Sequence, residues 1–183
     1  PIVRNIREQS EKLDFLIRSL VKASRLESDV LAVRPVRQPI APVVEAAMAT
    51  LRETAAEKQI RLLAENLEGE AFFDGKWTQE ALENLIDNAI KYSPAKSQVR
   101  IRVTNYEMFS AVHVRDQGMG IREEEQALIF GRFYRGREAS RQKGLGLGLY
   151  LVREIAARQG GYVRVRSARG AGSTFSFFLY RSV

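Results

Sequence analysis

The sequence predicts an α+β fold: an α/β sandwich with helices on one face of a mixed sheet of about five strands, preceded by one long N-terminal helix. Three observations carry this. Val99, Ile101 and Val103 alternate with Arg100, Arg102 and Thr104, the period of a half-buried strand. Residues 77–92 read as a helix. At about 100° per residue, Ala81, Leu82, Leu85, Ile86, Ala89 and Ile90 share one arc, and Asn84, Asn88 and Lys91 form a narrow stripe opposite. Residues 162–167 and 173–180 read as a terminal antiparallel pair joined through Gly170-Ala171-Gly172.

The other elements follow in order. Residues 1–28 lack Gly. Ile2, Ile6, Gln9, Leu13, Leu16, Leu20 and Ala23 recur at alternating gaps of four and three, the repeat of a coiled-coil or bundle helix that packs on a partner; a helix lying on the following domain is the rival expectation. Three of the five prolines fall in 34–42. Proline lacks an N–H and disfavours helix in the residue before it. The domain boundary is therefore expected here, with 1–34 and 35–183 as separate units and a short extended segment possible at 36–40. A helix is expected over 42–58, strands at 60–64 and 70–73 around Gly69, and a strand at 111–116. Residues 131–144 are rich in Gly, Arg and Ser, the composition of a mobile loop. A helix over 145–159 should stop at Gly160-Gly161.

Composition narrows the function classes. With no cysteine and one histidine, thiolate and histidine-rich metal sites and disulfides are excluded. No apolar run approaches the roughly 20 residues of a membrane helix. The opening Pro1-Ile2-Val3 suggests a fragment of a longer chain. The net charge of +7, with Arg well ahead of Lys, suits a phosphorylated ligand, acidic membrane or nucleic acid. No basic helix carries interleaved stacking aromatics, so nucleic acid is not the expected partner.

The chemistry concentrates in 84–148. The stripe of Asn84, Asn88 and Lys91 offers hard amide oxygens suited to Mg²⁺ already partly neutralised by phosphate, and a point charge for the same phosphates. An ordinary amphipathic helix with a solvated polar face gives the same pattern. Asp116 ends an apolar strand, and Gly118 and Gly120 follow it. Such a carboxylate can accept a hydrogen bond from the exocyclic amine of adenine; a glycine-rich turn with a capping aspartate is the plainer reading. Gly144, Gly146 and Gly148, interleaved with Leu145, Leu147 and Leu149, open a helix whose N–H groups and partial positive charge suit polyphosphate. Between them lie Arg132, Arg135, Arg137, Arg141 and Lys143, with Phe130, Phe133 and Tyr134 placed to pin the segment to the sheet.

In order and spacing these elements resemble the ATP-binding catalytic domain of sensor histidine kinases of two-component systems. That domain belongs to the GHKL superfamily shared with gyrase, the Hsp90 chaperone and the MutL repair protein. Residues 84–93 look like its N box, 116–121 its first glycine box, 129–135 its phenylalanine box and 144–149 its second glycine box. Residues 1–31 look like the second helix of the dimerisation and phosphotransfer hairpin. The resemblance implies a Bergerat fold and the cofactors ATP and Mg²⁺. It implies that Asn88 ligates the metal with Asn84 in support, that Lys91 contacts phosphate and that Tyr92 lines the nucleotide edge. Asp116 would read adenine, with Gly118, Gly120, Ile121 and Phe130 around the base, and Gly144, Leu145, Gly146, Leu147 and Gly148 would shape the pocket and lid hinges. Arg135 would reach the γ-phosphate; Asn84, Lys91 and Arg135 are thus the expected catalytic set. The implied partners are a response regulator receiver domain and, through the hairpin, a second copy. Membrane attachment would come only through segments outside this sequence, leaving this part cytoplasmic.

Two departures refine the expectation. The ATPase branch of the superfamily carries a glutamate four residues before the metal asparagine, to activate water. Here that residue is Asn84, a poor base, and Glu83 points about 100° away, which favours a kinase. The histidine kinases phosphorylate a histidine on the first hairpin helix, whereas the one histidine here, His113, lies between Val112 and Val114 in a strand and reads as structural. The first hairpin helix is therefore expected to be missing. Non-catalytic interaction module and gyrase-type ATPase switch stay as the alternatives.

Overall fold

The computed structural model describes residues 33–136 and 146–181 continuously, together with residues 5–7, 9, 10, 13, 14, 17, 20, 21 and 24. The chain divides into two compact units, 1–32 and 33–183. In the first unit the described residues are helical and exposed, including Ile6, Leu13 and Leu20 of the expected seam; Ile2, Leu16 and Ala23 lie outside the described residues.

The second unit is built on a five-stranded sheet, order β2-β4-β5-β7-β6. These strands are β2 (Arg61–Glu65), β4 (Gln98–Asn105), β5 (Phe109–Arg115), β6 (Tyr162–Ser167) and β7 (Ser173–Tyr180). β2 runs parallel to β4, and every other neighbour is antiparallel, so the sheet is mixed. A parallel pair needs a crossover, which β3 (Glu70–Phe73) and α3 (Gly75–Tyr92) provide. The short β1 (Val36–Pro39) pairs with β3 in a separate two-stranded sheet, so the six strands foreseen and the possible extended segment at 36–40 divide five and two.

Strict alternation decides the core. Val99, Ile101, Val103, Val112, Val114, Phe175, Phe177 and Leu179 are buried on one sheet face. They meet the apolar arc of α3 (Ala81, Leu82, Leu85, Ile86, Ala89, Ile90) and Leu151, Val152 and Ile155 of α5 (Gly148–Arg158). Each such Leu, Ile or Phe contributes roughly 1.5–3 kcal/mol by burial. Asp74 starts α3 by accepting from the Trp77 N–H at 3.2 Å. Gln159, just past α5, accepts from Asp74 N and Thr78 Oγ1 and ties the two helices together.

Two expected helices are corrected. Residues 42–58 form two helices, α1 (Ala41–Thr50) and α2 (Arg52–Glu57), broken at Leu51. The Thr50 hydroxyl donates back to the Ala46 carbonyl at 3.2 Å, a local bond that bends helices. The helix foreseen from 145 begins at Gly148, because Gly146 adopts φ +72°, a left-handed conformation a helix cannot continue through. A one-turn helix, α4 (Glu123–Gln126), was not foreseen.

Candidate nucleotide site

The polar edge of α3 forms one wall. Asn84 donates from Nδ2 to the Glu80 carbonyl at 2.8 Å, which turns Oδ1 outward toward Gly148 at the start of α5. A Cβ on Gly148 would lie 2.9 Å from that oxygen, so glycine there makes room for the amide. Asn88, one turn on, is half-buried and its amide has no hydrogen-bond partner among the described residues. Glu83 accepts from Gln79 Nε2 at 2.8 Å, along the helix rather than beside Asn84.

Charges gather at the C-terminal end of α3. Burial lowers the Lys91 ammonium below its usual range, Asp87 opposes this, and Arg135 adds to it by repulsion. Burial raises the Tyr92 phenol, and Arg135 pulls it back. Asp87, partly facing solvent, is held above the usual carboxylate range by burial and pulled back by Lys91. Arg135 therefore stands close enough to both Lys91 and Tyr92 to act on them.

Asp116, 6% exposed, forms the second wall. Its Oδ1 accepts from Gly118 N at 2.7 Å and Ser173 N at 3.2 Å, and its own N–H donates to the Ser173 carbonyl at 2.9 Å. Among the described residues Oδ2 takes no hydrogen bond and stays free to accept. Burial pushes the carboxyl above its usual range, against the pull of the Gly118 and Ser173 N–H groups. Gly118 packs so tightly that a Cβ would lie 2.7 Å from the Tyr92 carbonyl, joining this loop to the end of α3. Gly120 (φ +71°) leaves no room for a Cβ against the Ala168 carbonyl, and Ile121 N donates to Ser167 Oγ at 2.8 Å.

Residues 129–136 and the start of α5 complete the ring. Phe130 is buried edge-on against Phe175, 6.2 Å between centroids, and anchors the segment as foreseen. Phe133 is instead half exposed, with φ 59°, beneath the Arg132 guanidinium at 5.8 Å. Tyr134 donates to Glu125 at 3.4 Å. Gly146 lies directly on the backbone of Phe133 and Tyr134. Leu147 is buried, and no side chain caps the helix that follows it. Gly144 and Leu145, with Arg137, Arg141 and Lys143, lie outside the described residues.

Three close approaches and one electrostatic link thus close a circuit: Gly148 meets Asn84, Gly146 meets Tyr134, Gly118 meets Tyr92, and the charge of Arg135 acts on Lys91 and Tyr92. It surrounds amide oxygens, cations, an uncapped helix start and a carboxylate oxygen with spare capacity. Sequence reasoning missed Gly172 and Ser173. The first (φ +76°) lies on the Asp116 carbonyl and the second donates to its side chain. No local pattern links positions 57 residues apart. His113 is half-buried in β5 with Nδ1 2.8 Å from Ser176 Oγ; burial and Arg102 lower its pKa, so it is held neutral as a structural residue.

Comparison with known proteins supplies the family. The chain is 32% identical over 170 residues to the sensor protein kinase PmrB of Pseudomonas aeruginosa, covering 92% of this chain and 36% of that protein. It is 34% identical over 182 residues to the sensor histidine kinase RppB of Synechocystis, covering 97% and 40%. The chain therefore spans about two fifths of the length of these relatives. The solved mycobacterial sensor histidine kinase MprB superposes with a TM-score of 0.71 at 26% identity, over 81% of this chain and 97% of that one. Residues 73–182, most of the chain and all of the circuit, match the model of one family, and this chain belongs to it: the histidine kinase-, DNA gyrase B- and HSP90-like ATPases.

Proposed function

We propose that this chain is the ATP-binding catalytic part of a two-component sensor histidine kinase, with 1–34 contributing to a dimerisation and phosphotransfer hairpin and 35–183 forming the kinase domain. One observation carries the nucleotide reading: Asp116 is buried with Oδ1 fixed by two backbone N–H groups and Oδ2 free to accept. That suits the exocyclic amine of adenine and repels the carbonyl guanine carries at the same position. Gly118, Gly120, Ile121 and Phe130 flank the base in this reading, and Tyr92 lines its edge.

The phosphates would lie toward Lys91, Arg135 and the uncapped start of α5 at Leu147 and Gly148, with Gly146 as hinge and Gly144 and Leu145 completing the turn. Mg²⁺ fits the amide pair: Asn88 has no hydrogen-bond partner among the described residues, and Asn84 presents Oδ1. Among the described residues no cluster of three carboxylate or imidazole groups stands ready for a metal, so phosphate oxygens would supply the remaining ligands. The metal would neutralise phosphate charge. Arg135 would stabilise the negative charge that develops as the γ-phosphoryl group moves to a histidine. The acceptor would not be His113, which is tied into the sheet. An ATPase switch is less well supported, since Asn84 is an amide already donating to Glu80 and Glu83 is bonded to Gln79.

The reading extends to a response regulator receiver domain as the next acceptor, to a homodimer through the hairpin, and to membrane attachment through other segments of the parent protein. No helix among the described residues is long and apolar enough to cross a membrane. Titration calorimetry with ADP and GDP, with and without Mg²⁺, tests the core of it. ADP should bind and GDP should not, and Asn88→Ala should remove the Mg²⁺-dependent part of the affinity. Equal affinity for ADP and GDP, or none for ADP, would overturn the assignment.

A further inference from the structure

The described helices of the second unit pack on one sheet face, and the strand residues of the other face include six arginines. Strand register puts Arg61, Arg100, Arg102, Arg115, Arg164 and Arg166 on it, with Glu65 as the one acidic residue at these strand positions. Arg100 and Arg115 stand directly opposite each other on β4 and β5. Like charges directly opposite in an antiparallel pair repel at a Cα separation of about 4.5–5.5 Å. Both line a groove of about 350 Å³, large enough for a small ligand.

The groove is supplied with donors and short of acceptors. The Arg115 side chain has no hydrogen bond or ion pair among the described residues. Arg100 is anchored. Its Nη1 lies 3.4 Å from Glu65, and the Gln98 amide oxygen, turned toward it, accepts from Nε at 3.2 Å and Nη2 at 2.8 Å. Two of its five N–H groups remain. The Gln117 oxygen accepts from Gln98 N at 3.0 Å, which leaves its NH₂ group without a partner among the described residues. Asp116, whose residue also borders the groove, pairs with neither arginine: its Oδ1 accepts from Gly118 N and Ser173 N, and its Oδ2 takes no hydrogen bond among the described residues. The turn at Gly170 and Ala171 closes the far side.

We propose that Arg100 and Arg115 form a second anion site, outside the nucleotide circuit, that binds a phosphate group. A carboxylate satisfies one guanidinium fork. A tetrahedral dianion has enough oxygens and charge to engage both forks and relieve their repulsion. A free phosphorylated molecule and a phosphomonoester lipid headgroup present the same chemistry.

The test is calorimetric titration of the whole chain with inorganic pyrophosphate at fixed ionic strength, alongside co-sedimentation with phosphatidylcholine vesicles with and without phosphatidic acid. Arg115→Gln should weaken pyrophosphate binding at this site at least ~10-fold, the effect of losing one charge-assisted fork. Arg100→Gln/Arg115→Gln should abolish it, and Arg135→Gln should retain it. Pyrophosphate at a hundredfold its Kd should raise the Tm of wild type by about 5–10 °C more than that of the double variant. Capture by phosphatidic acid vesicles, lost in the double variant, would identify the lipid source; pyrophosphate binding without capture would identify a soluble one. Pyrophosphate binding and vesicle capture in the double variant equal to wild type would overturn the site. ADP titration of the same variants keeps the two readings separate, since neither arginine belongs to the nucleotide circuit.

Discussion

The two ends of the nucleotide circuit are held by different forces. At the end proposed for adenine, backbone does the holding. Asp116 accepts from the Gly118 N–H and exchanges hydrogen bonds with Ser173, and Gly120 and Gly172 sit where no side chain fits. At the end proposed for phosphate, charged side chains face one another. Arg135 and Lys91 repel, Arg132 lies over Phe133 and Tyr150, and the first turn of α5 has no capping side chain. Backbone bonds fix a geometry before any ligand arrives, whereas mutually repelling cations gain when a polyanion comes between them. In the proposed reading, selection of the base falls to a rigid half and capture of the phosphates to an adaptable one.

The contrast can be broken most severely at Gly172. Gly172→Val places a β-branched side chain at φ +76° against the Asp116 carbonyl. It should cost at least about 3 kcal/mol of stability in urea unfolding and remove ADP binding. Wild-type stability would mean that the backbone end is not rigid.

Asp116→Asn is smaller and splits function from stability. Loss of the charged acceptor should weaken ADP on the order of 10–100-fold, about 1.5–3 kcal/mol, by calorimetry. The apo variant should nevertheless melt higher at neutral pH. Burial raises the folded-state pKa of Asp116 above the ordinary 3.8, so the folded chain holds its proton to a higher pH than the unfolded chain. Stability therefore falls as pH rises from 3.8 through the raised value and stays lower above it. Asparagine carries no such penalty, so its advantage should be present above that window and fade as the pH drops below it. A variant less stable at every pH would show that the carboxylate charge supports the loop instead.

Arg135→Gln sharpens the phosphate end with the least effect. It should weaken ADP about 3–10-fold with little change in Tm. Without Arg135 the Lys91 ammonium should titrate closer to its ordinary 10.5, followed by NMR of its side-chain carbon. An unmoved Lys91 would mean that the two cations do not face each other.

Much of this was legible in the chain. Alternation in 99–104 showed which residues of β4 are buried, because a strand sends successive side chains to opposite faces. The arc of Leu82, Leu85, Ile86 and Ile90 showed which side of α3 meets the sheet and therefore which side carries Asn84 and Asn88. The order of asparagine stripe, glycine loop, aromatic segment and glycine helix start pointed to a nucleotide fold. These are local periodicities, and local geometry determines them.

Only the tertiary structure decided the remainder. It closed Ser173 onto Asp116, stood Gly148 against Asn84, set Arg135 within electrostatic reach of Lys91 and Tyr92, and placed Arg100 opposite Arg115 across two strands. It also separated β1 and β3 from the main sheet and broke the helix at Leu51. Register and contact between distant residues depend on how whole elements pack, and no periodicity within a single segment encodes them.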